Sequence, residues 1–240
     1  MPLAGIIKKR WITYMKILGI DTTTKFLCLG LYDNNKLYSY RLEAQRNTSS
    51  FLGKTMKRVL EVLQWRISDI DYLACGLGPG SFTGIRVGLA TIKGLAWSLN
   101  KPIAGISTLD ILAKNAAPEN PETIVPILDA KRGLIYCSAY KFKSGTLKRT
   151  LPYLLLSKDE LFKKFKGNCI FLGDALGLYK DQILRNVKNA KTLDIEYWYP
   201  QPHNIINIAL DKIKQKKLDN AFDIKPIYIY PKECQIRKYA

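Results

Sequence analysis

Short apolar runs separated by turn residues open the chain. Met15 to Ile20 is one, ending at Asp21, and Phe26 to Tyr32 is a second. Asp33-Asn34-Asn35 supplies turn chemistry between that run and Lys36 to Leu42, which alternates well enough to return as a strand. The expectation is a three-stranded antiparallel meander. Thr48, Ser49 and Ser50 then offer N-caps for a helix in which Leu52, Met56, Val59, Leu60 and Leu63 recur at helical spacing, with Lys54, Lys57, Arg58 and Glu61 on the opposite face. After Ser68-Asp69 the pattern predicts a strand over Tyr72 to Gly76, a Gly-rich turn, and a helix from Phe82 to Leu99. Lys101-Pro102 breaks that helix. Ile103 to Ile106 reads as a further strand, and Ser107 caps a helix from Thr108 to about Ala116.

The order to this point is β-β-β-α-β-α-β-α, which defines an RNase H-like lobe. Ala117 to Pro121 reads as a linker. Beyond it, Ile124 to Leu128 and Leu134 to Phe142 flank Asp129-Ala130-Lys131-Arg132-Gly133 as a hairpin. Cys169 to Leu172 is expected as a strand, Asn204 to Ile213 as a helix, and Ile224 to Tyr230 as a final extended segment. The expected division is a disordered N-terminal extension over 1–14, a first lobe over 15–118, and a smaller, less regular and more basic second lobe over 119–240. The helix near 204–217 is expected to pack back on the first lobe.

Composition narrows the classes. The 47% hydrophobic and 24% charged content of these 240 residues is that of a soluble globular protein. The longest uncharged stretch, Tyr72 to Ile85, is broken by Gly and Pro and falls short of the roughly 18 apolar residues a membrane span needs. Basic residues follow rather than precede the short apolar start, so it does not read as a signal peptide, and Met15 stands immediately before the first strand. Five widely spaced cysteines without a C-x-x-C pair fit isolated thiols in a reducing cytosol, and a cytoplasmic location is expected. The one histidine, His203, excludes every site that needs two imidazoles. A net charge of +18 attracts phosphate polymers, although the lysines are spread along the whole chain and no aromatic-interleaved RNA motif is present.

The most informative stretch is Gly76-Leu77-Gly78-Pro79-Gly80-Ser81-Phe82-Thr83-Gly84-Ile85-Arg86-Val87-Gly88. A P-loop would place lysine where Ile85 stands, and the dinucleotide fingerprint fails by one residue. Gly80, Gly84 and Gly88 recur every fourth residue with Thr91 and Gly94 near the same strip, which lets another backbone approach closely. Spacing alone leaves open whether that backbone belongs to this chain's sheet or to a partner. Asp21-Thr22-Thr23-Thr24 follows the first strand. Asp21 reads as a strand-end cap or as a holder of a hydrated cation, and Thr22 and Thr24 put Cβ atoms where a phosphate turn needs none. Asp129 with Arg132 offers a local ion pair at the hairpin. No nucleophile, base and oxyanion donor assemble at a defensible spacing.

Lys16 to Thr24, Gly76 to Gly88, Ile103 to Leu109 and Asp129 to Tyr136 together resemble the TsaB (YeaZ) family, and the GPGSFTG-[IL]-R-[VI]-G stretch is highly specific to that family and its catalytic relative. The resemblance is clear over about Met15 to Tyr140. It implies a two-lobed α/β fold of the actin-like class and no catalytic residue. It further implies a homodimer or a heterodimer with TsaD, and a role with TsaD and TsaE in forming threonylcarbamoyladenosine in tRNA, which would be met through the complex. No cofactor is expected in the isolated chain, and a nucleotide at the TsaD interface stays open. Carried onto this sequence, the interface would use Leu52, Met56, Val59, Phe82, Gly84, Arg86, Val87, Gly88 and Thr91. A vestigial nucleotide or phosphate site would comprise Asp21, Thr22, Thr23, Gly78, Gly80, Ser81 and Asp129. Two positions depart from the family's pattern: Thr48 stands where a histidine is usual, and Ala175 follows Gly173-Asp174 where a second glycine is common. The rival readings are an actin-like nucleotide-binding enzyme, a protease and a free-standing basic tRNA-binding protein.

Overall fold

The computed structural model describes residues 15–44, 47–116 and 122–230; the expected extension over 1–14 and the linker over 117–121 lie outside them. The first lobe is built on a five-stranded sheet. Strands β1 (Lys16–Asp21), β2 (Phe26–Asp33) and β3 (Lys36–Glu43) form the antiparallel meander, and β4 (Tyr72–Gly76) and β5 (Ile103–Ile106) extend it in parallel, in the order β3-β2-β1-β4-β5. Alternation divides the buried strands between two faces. Leu18, Ile20, Leu29, Leu73 and Cys75 face helices α1 (Thr48–Val62) and α2 (Phe82–Leu99), while Ile17, Cys28, Ala74 and Ala104 face α6 (Pro202–Lys214). Helix α6 thus returns from the far end of the chain to cover β1, β2, β3 and β5.

Helix α3 (Thr108–Ala113) starts where the Ser107 hydroxyl accepts from the Leu109 amide. It ends three residues short of expectation, because Asn115 and Ala116 close turns onto Leu112 and Ala113, and the Asn115 amide donates to the carbonyls of Tyr197 and Tyr199. α3 lies against β6 (Thr123–Lys131) of the second lobe. There β6 is joined by β7 (Leu134–Cys137), β8 (Tyr140–Lys143), β9 (Thr146–Arg149), β10 (Leu154–Ser157), β11 (Cys169–Leu172) and β12 (Ala190–Thr192) in one seven-stranded sheet. Helices α4 (Lys158–Lys164) and α5 (Leu176–Asn186) cover one face, with Leu161, Leu176 and Ile183 in one cluster with Phe171 of β11.

One expectation is corrected in this half, whose sheet has seven strands to the first lobe's five. The run Leu134 to Phe142 is not one strand. At Ser138-Ala139 the chain turns aside, Ser138 donating to the Leu151 carbonyl and Thr150 to the Ala139 carbonyl, so β8 leaves β7 and meets β6 at Ile124. The segment expected as extended, Ile224 to Tyr230, joins neither sheet; its described backbone is pinned at single points, such as the Ile227 amide on the Leu77 carbonyl, with Ile224 buried in the first core.

Candidate functional site

Two features of this frame concern function: a cleft between the lobes, and the outer surface of α1 and α2. The cleft is formed because β1 and β4 end together. At the end of β1, Asp21 is fully buried; its Oδ1 accepts from the Thr23 amide at 3.0 Å and the Thr23 hydroxyl at 2.8 Å. The Asp21 Oδ2 has no partner, and burial pushes the carboxyl up to about 6 despite the hydrogen bonds from Thr23 and Thr108. The Thr108 hydroxyl at the head of α3 donates to the Thr23 hydroxyl at 2.8 Å, which ties the turn after β1 to the lobe boundary.

The Gly-rich loop closes over that turn. The peptide bond between Gly78 and Pro79 is cis. The Ser81 amide donates to the Thr23 carbonyl at 2.7 Å, and the Ser81 hydroxyl caps α2 by accepting from the Gly84 amide. The Thr22 hydroxyl donates to the Gly84 carbonyl at 2.6 Å. A Cβ on Gly84 would lie 2.0 Å from the Thr22 carbonyl oxygen, and one on Gly88 would lie 2.4 Å from the Thr22 hydroxyl. The glycine strip is therefore filled from within, by the turn after β1. Two amides at the start of α2, those of Ser81 and Gly84, are already engaged, by the Thr23 carbonyl and the Ser81 hydroxyl.

The cleft has a volume of about 800 Å³ and is lined by Thr23, Gly80, Ser81 and Phe82 of the first lobe, by Asp129, Lys131 and Asp174 of the second, and by Tyr228 and Tyr230 of the segment after α6. Of the proposed vestigial site, Thr23, Gly80, Ser81 and Asp129 border this space, whereas Asp21, Thr22 and Gly78 lie behind it. The expected partner of Asp129 is corrected: Lys131, not Arg132, pairs with it at 2.5 Å, and the Asp129 carboxylate also accepts from the Lys131 amide at 2.8 Å, which holds the two together. Asp174, which sequence reasoning noted only as a departure, accepts from the Asp129 amide at 2.9 Å. Burial raises its carboxyl to about 6, with the neighbouring Asp129 charge adding to the rise. Tyr228 and Tyr230 were missed because an extended segment carries no signal of where it docks. The Tyr228 ring lies 5.5 Å from Phe82, and the Tyr230 hydroxyl donates to the Ala130 carbonyl.

On the outer surface, three residues assigned to a partner interface are corrected. Leu52, Gly84 and Gly88 face inward and are buried. Met56, Val59, Val87 and Thr91 are half-buried, the Thr91 hydroxyl being satisfied by the Val87 carbonyl of its own helix. Phe82 is 49% exposed, and the Arg86 guanidinium stacks on it at 3.8 Å. Three further apolar residues stand in solvent on the same two helices: Val62 at 75%, Trp97 at 72% and Phe51 at 40%. Spacing could not have found them, because they fall off the stripe that marks the core-facing side.

Among the described residues, no cluster of His, Cys, Asp and Glu has the makings of a metal site, and no helix is long and apolar enough to cross a membrane. Cys28, Cys75, Cys137 and Cys169 are buried.

Residues 42–195 match the family model described as TsaD, tRNA N6-adenosine threonylcarbamoyltransferase. The tRNA threonylcarbamoyladenosine biosynthesis protein TsaB of Bacillus subtilis is 32% identical over 93% of this chain and 97% of its own length. The protein of the same name from Escherichia coli is 25% identical over 90% of this chain and 94% of its own. YeaZ from Pseudomonas aeruginosa has the same fold, with a TM-score of 0.77 at 22% identity over 89% of this chain and 99% of that one.

Proposed function

The chain belongs to the TsaB (YeaZ) family within the wider TsaD-related group, and from that membership we propose that it takes part in forming N6-threonylcarbamoyladenosine in tRNA as a non-catalytic subunit. In this role it binds TsaD through the outer surface of α1 and α2, with TsaE joining the complex and tRNA reaching it there. The observation that carries the reading is the packing of Thr22 into the glycine strip of α2. Where an actin-like enzyme needs open backbone to receive phosphate, this chain has two hydrogen bonds and a side chain. The single histidine of the sequence agrees with it, since a two-imidazole centre cannot be built.

The partner surface is supported by solvent-exposed apolar side chains of a kind that usually anchors interfaces, with Trp97 and Phe82 foremost. On α1, Lys54 and Arg58 line a hollow together with Phe51 and Val62 and favour an acidic counterpart. The same surface would serve a homodimer when TsaD is absent.

The test is co-purification with TsaD of the same organism, comparing wild type with Val62→Glu and Trp97→Glu, scored by light scattering and by modified adenosine formed in vitro. Both substitutions sit in solvent and leave the core intact. The wild type is expected to form a complex that supports modification, and the variants to stay folded and fail at both. A wild type that ignores TsaD, or an isolated chain that turns over ATP, would overturn the reading. The cleft, with Asp129, Lys131 and Asp174 on its wall, favours one second reading: a nucleotide held between the lobes, which calorimetric titration with ATP and magnesium would detect.

A further inference from the structure

We propose that the β8–β9 hairpin of the second lobe is a docking surface for the phosphodiester backbone of tRNA, an inference that rests on the tRNA-modification role and adds to it a direct contact made by this chain. The hairpin pairs Tyr140 with Arg149, Lys141 with Lys148 and Phe142 with Leu147. Tyr140, Phe142 and Leu147 turn into a cluster with Ala113, Ile124 and Leu172. Alternation therefore puts Lys141, Lys143 and Lys148 together on the opposite face, and all three are exposed. Ser144 and Gly145 both take positive φ, 50° and 71°, so a tight two-residue turn fixes the register that brings the cations together.

Lys141 and Lys148 are directly opposed across the ladder, an arrangement that destabilises a sheet unless a counter-charge is supplied. The hairpin itself supplies none, since Tyr140 to Arg149 contains no carboxylate, and none of the ion pairs between described residues includes these three lysines. Beside the hairpin lies a hollow of about 840 Å³ whose lining includes Lys114, Lys148, Arg149 and Lys212. Its two carboxylates face those four cations: Asp110 accepts from the Tyr140 and Tyr153 hydroxyls at 2.6 and 2.9 Å, and Asp211 pairs with Lys114 at 3.4 Å. The region is thus left with an excess of cations.

RNA fits this surface better than an acidic protein does. A protein interface draws its energy from buried apolar anchors, and on the lysine face the hairpin offers none, since Tyr140, Phe142 and Leu147 lie on the other face, against the second lobe. Phosphate contacts by lysine need no such anchor and draw on counterion release. The hairpin is also on the other lobe from α1 and α2, so RNA and protein contacts can be separated by mutation.

The experiment uses the chain co-purified with TsaD and labelled tRNA, followed by fluorescence anisotropy over a range of salt. The variant Lys141→Thr, Lys143→Thr, Lys148→Thr keeps strand-forming residues and relieves the repulsion. The control Lys36→Thr, Lys180→Thr, Lys188→Thr removes the same charge from exposed positions elsewhere. The hairpin variant is expected to bind tRNA about tenfold or more weakly at low salt, with a log K against log salt slope shallower by about 2, unchanged TsaD binding and an unaffected control. An unchanged slope, an equal loss in the control, or loss of TsaD by the hairpin variant would each overturn the proposal. If wild type fails to bind TsaD, the functional reading falls, and the same titration on the chain alone still decides the hairpin.

Discussion

Replacing Asp21 by Asn removes a charge that the fold houses at a cost, and the cost can be read from pH. The carboxyl is fully buried, its Oδ2 is unpartnered, and its folded value is about 6 against an ordinary 3.8. Between those values the folded chain holds a proton that the unfolded chain has released. Stability contributed by this group is therefore present below about pH 3.8, is lost as pH rises through about 6, and stays lost above it. A rise of about 2 pH units at about 1.4 kcal/mol each puts the loss on the order of 3 kcal/mol at neutral pH. Asparagine has the same shape and no such titration. Its new N–H bonds, if unmet near Oδ2, cost about 1–3 kcal/mol, but at every pH alike. The observable is thus the difference in unfolding free energy between variant and wild type, measured by urea denaturation at intervals from pH 4.5 to 7.5. Other titrating groups cancel in that difference, which is expected to move in the variant's favour by about 2 kcal/mol across the range. A difference that stays flat, or that moves against the variant as pH rises, would refute the reasoning and mean that the ionised carboxylate has a counter-charge in solution.

Gly84→Ala is expected to destabilise by about 2 kcal/mol or more, because its Cβ would meet the Thr22 carbonyl oxygen at 2.0 Å; Gly94→Ala on the same helix meets nothing within 4 Å and is expected to stabilise by about 0.5–1 kcal/mol, both read as thermal midpoints. Ile224→Ala, at a position 3% exposed in the first lobe's core, is expected to cost about 2–5 kcal/mol by denaturant titration; a loss under about 0.5 kcal/mol would mean that the segment after α6 is not part of that core. Burial raises the thiols of Cys28, Cys75 and Cys137, the last to about 12, so with Cys234 replaced by Ser a thiol reagent is expected to label the folded chain slowly and the urea-unfolded chain fully.

The first lobe was legible in the sequence because each of its elements carries its own signal. Asn34 and Asn35 take the positive φ that a tight hairpin needs, Ser81 and Ser107 cap the helices they precede, and Asn100 ends α2 in the left-handed region. The second lobe was less so. Its β8 to β12 are three or four residues long, and β8 parts from β7 only because Ser138 and Thr150 bond across to a segment a dozen residues away, which no local pattern records. The same limit governs the site. Four-residue glycine spacing states that a backbone comes close to α2, and it is indifferent to whose backbone that is. Distances settle the matter: the turn from Thr22 to Thr23 occupies the strip so tightly that a methyl group cannot enter at Gly80, Gly84 or Gly88. It follows that the strip fixes the orientation of α2 on the first sheet, and that the face turned outward, with Phe82, Arg86 and Trp97, is defined by what the glycines bury on the other side. The outward face proposed for a partner and the closed turn after β1 are thus two consequences of one packing choice, and a substitution that opened the strip by shrinking Thr22 to glycine would be expected to loosen α2 on the sheet while leaving the histidine-poor cleft no closer to catalysis.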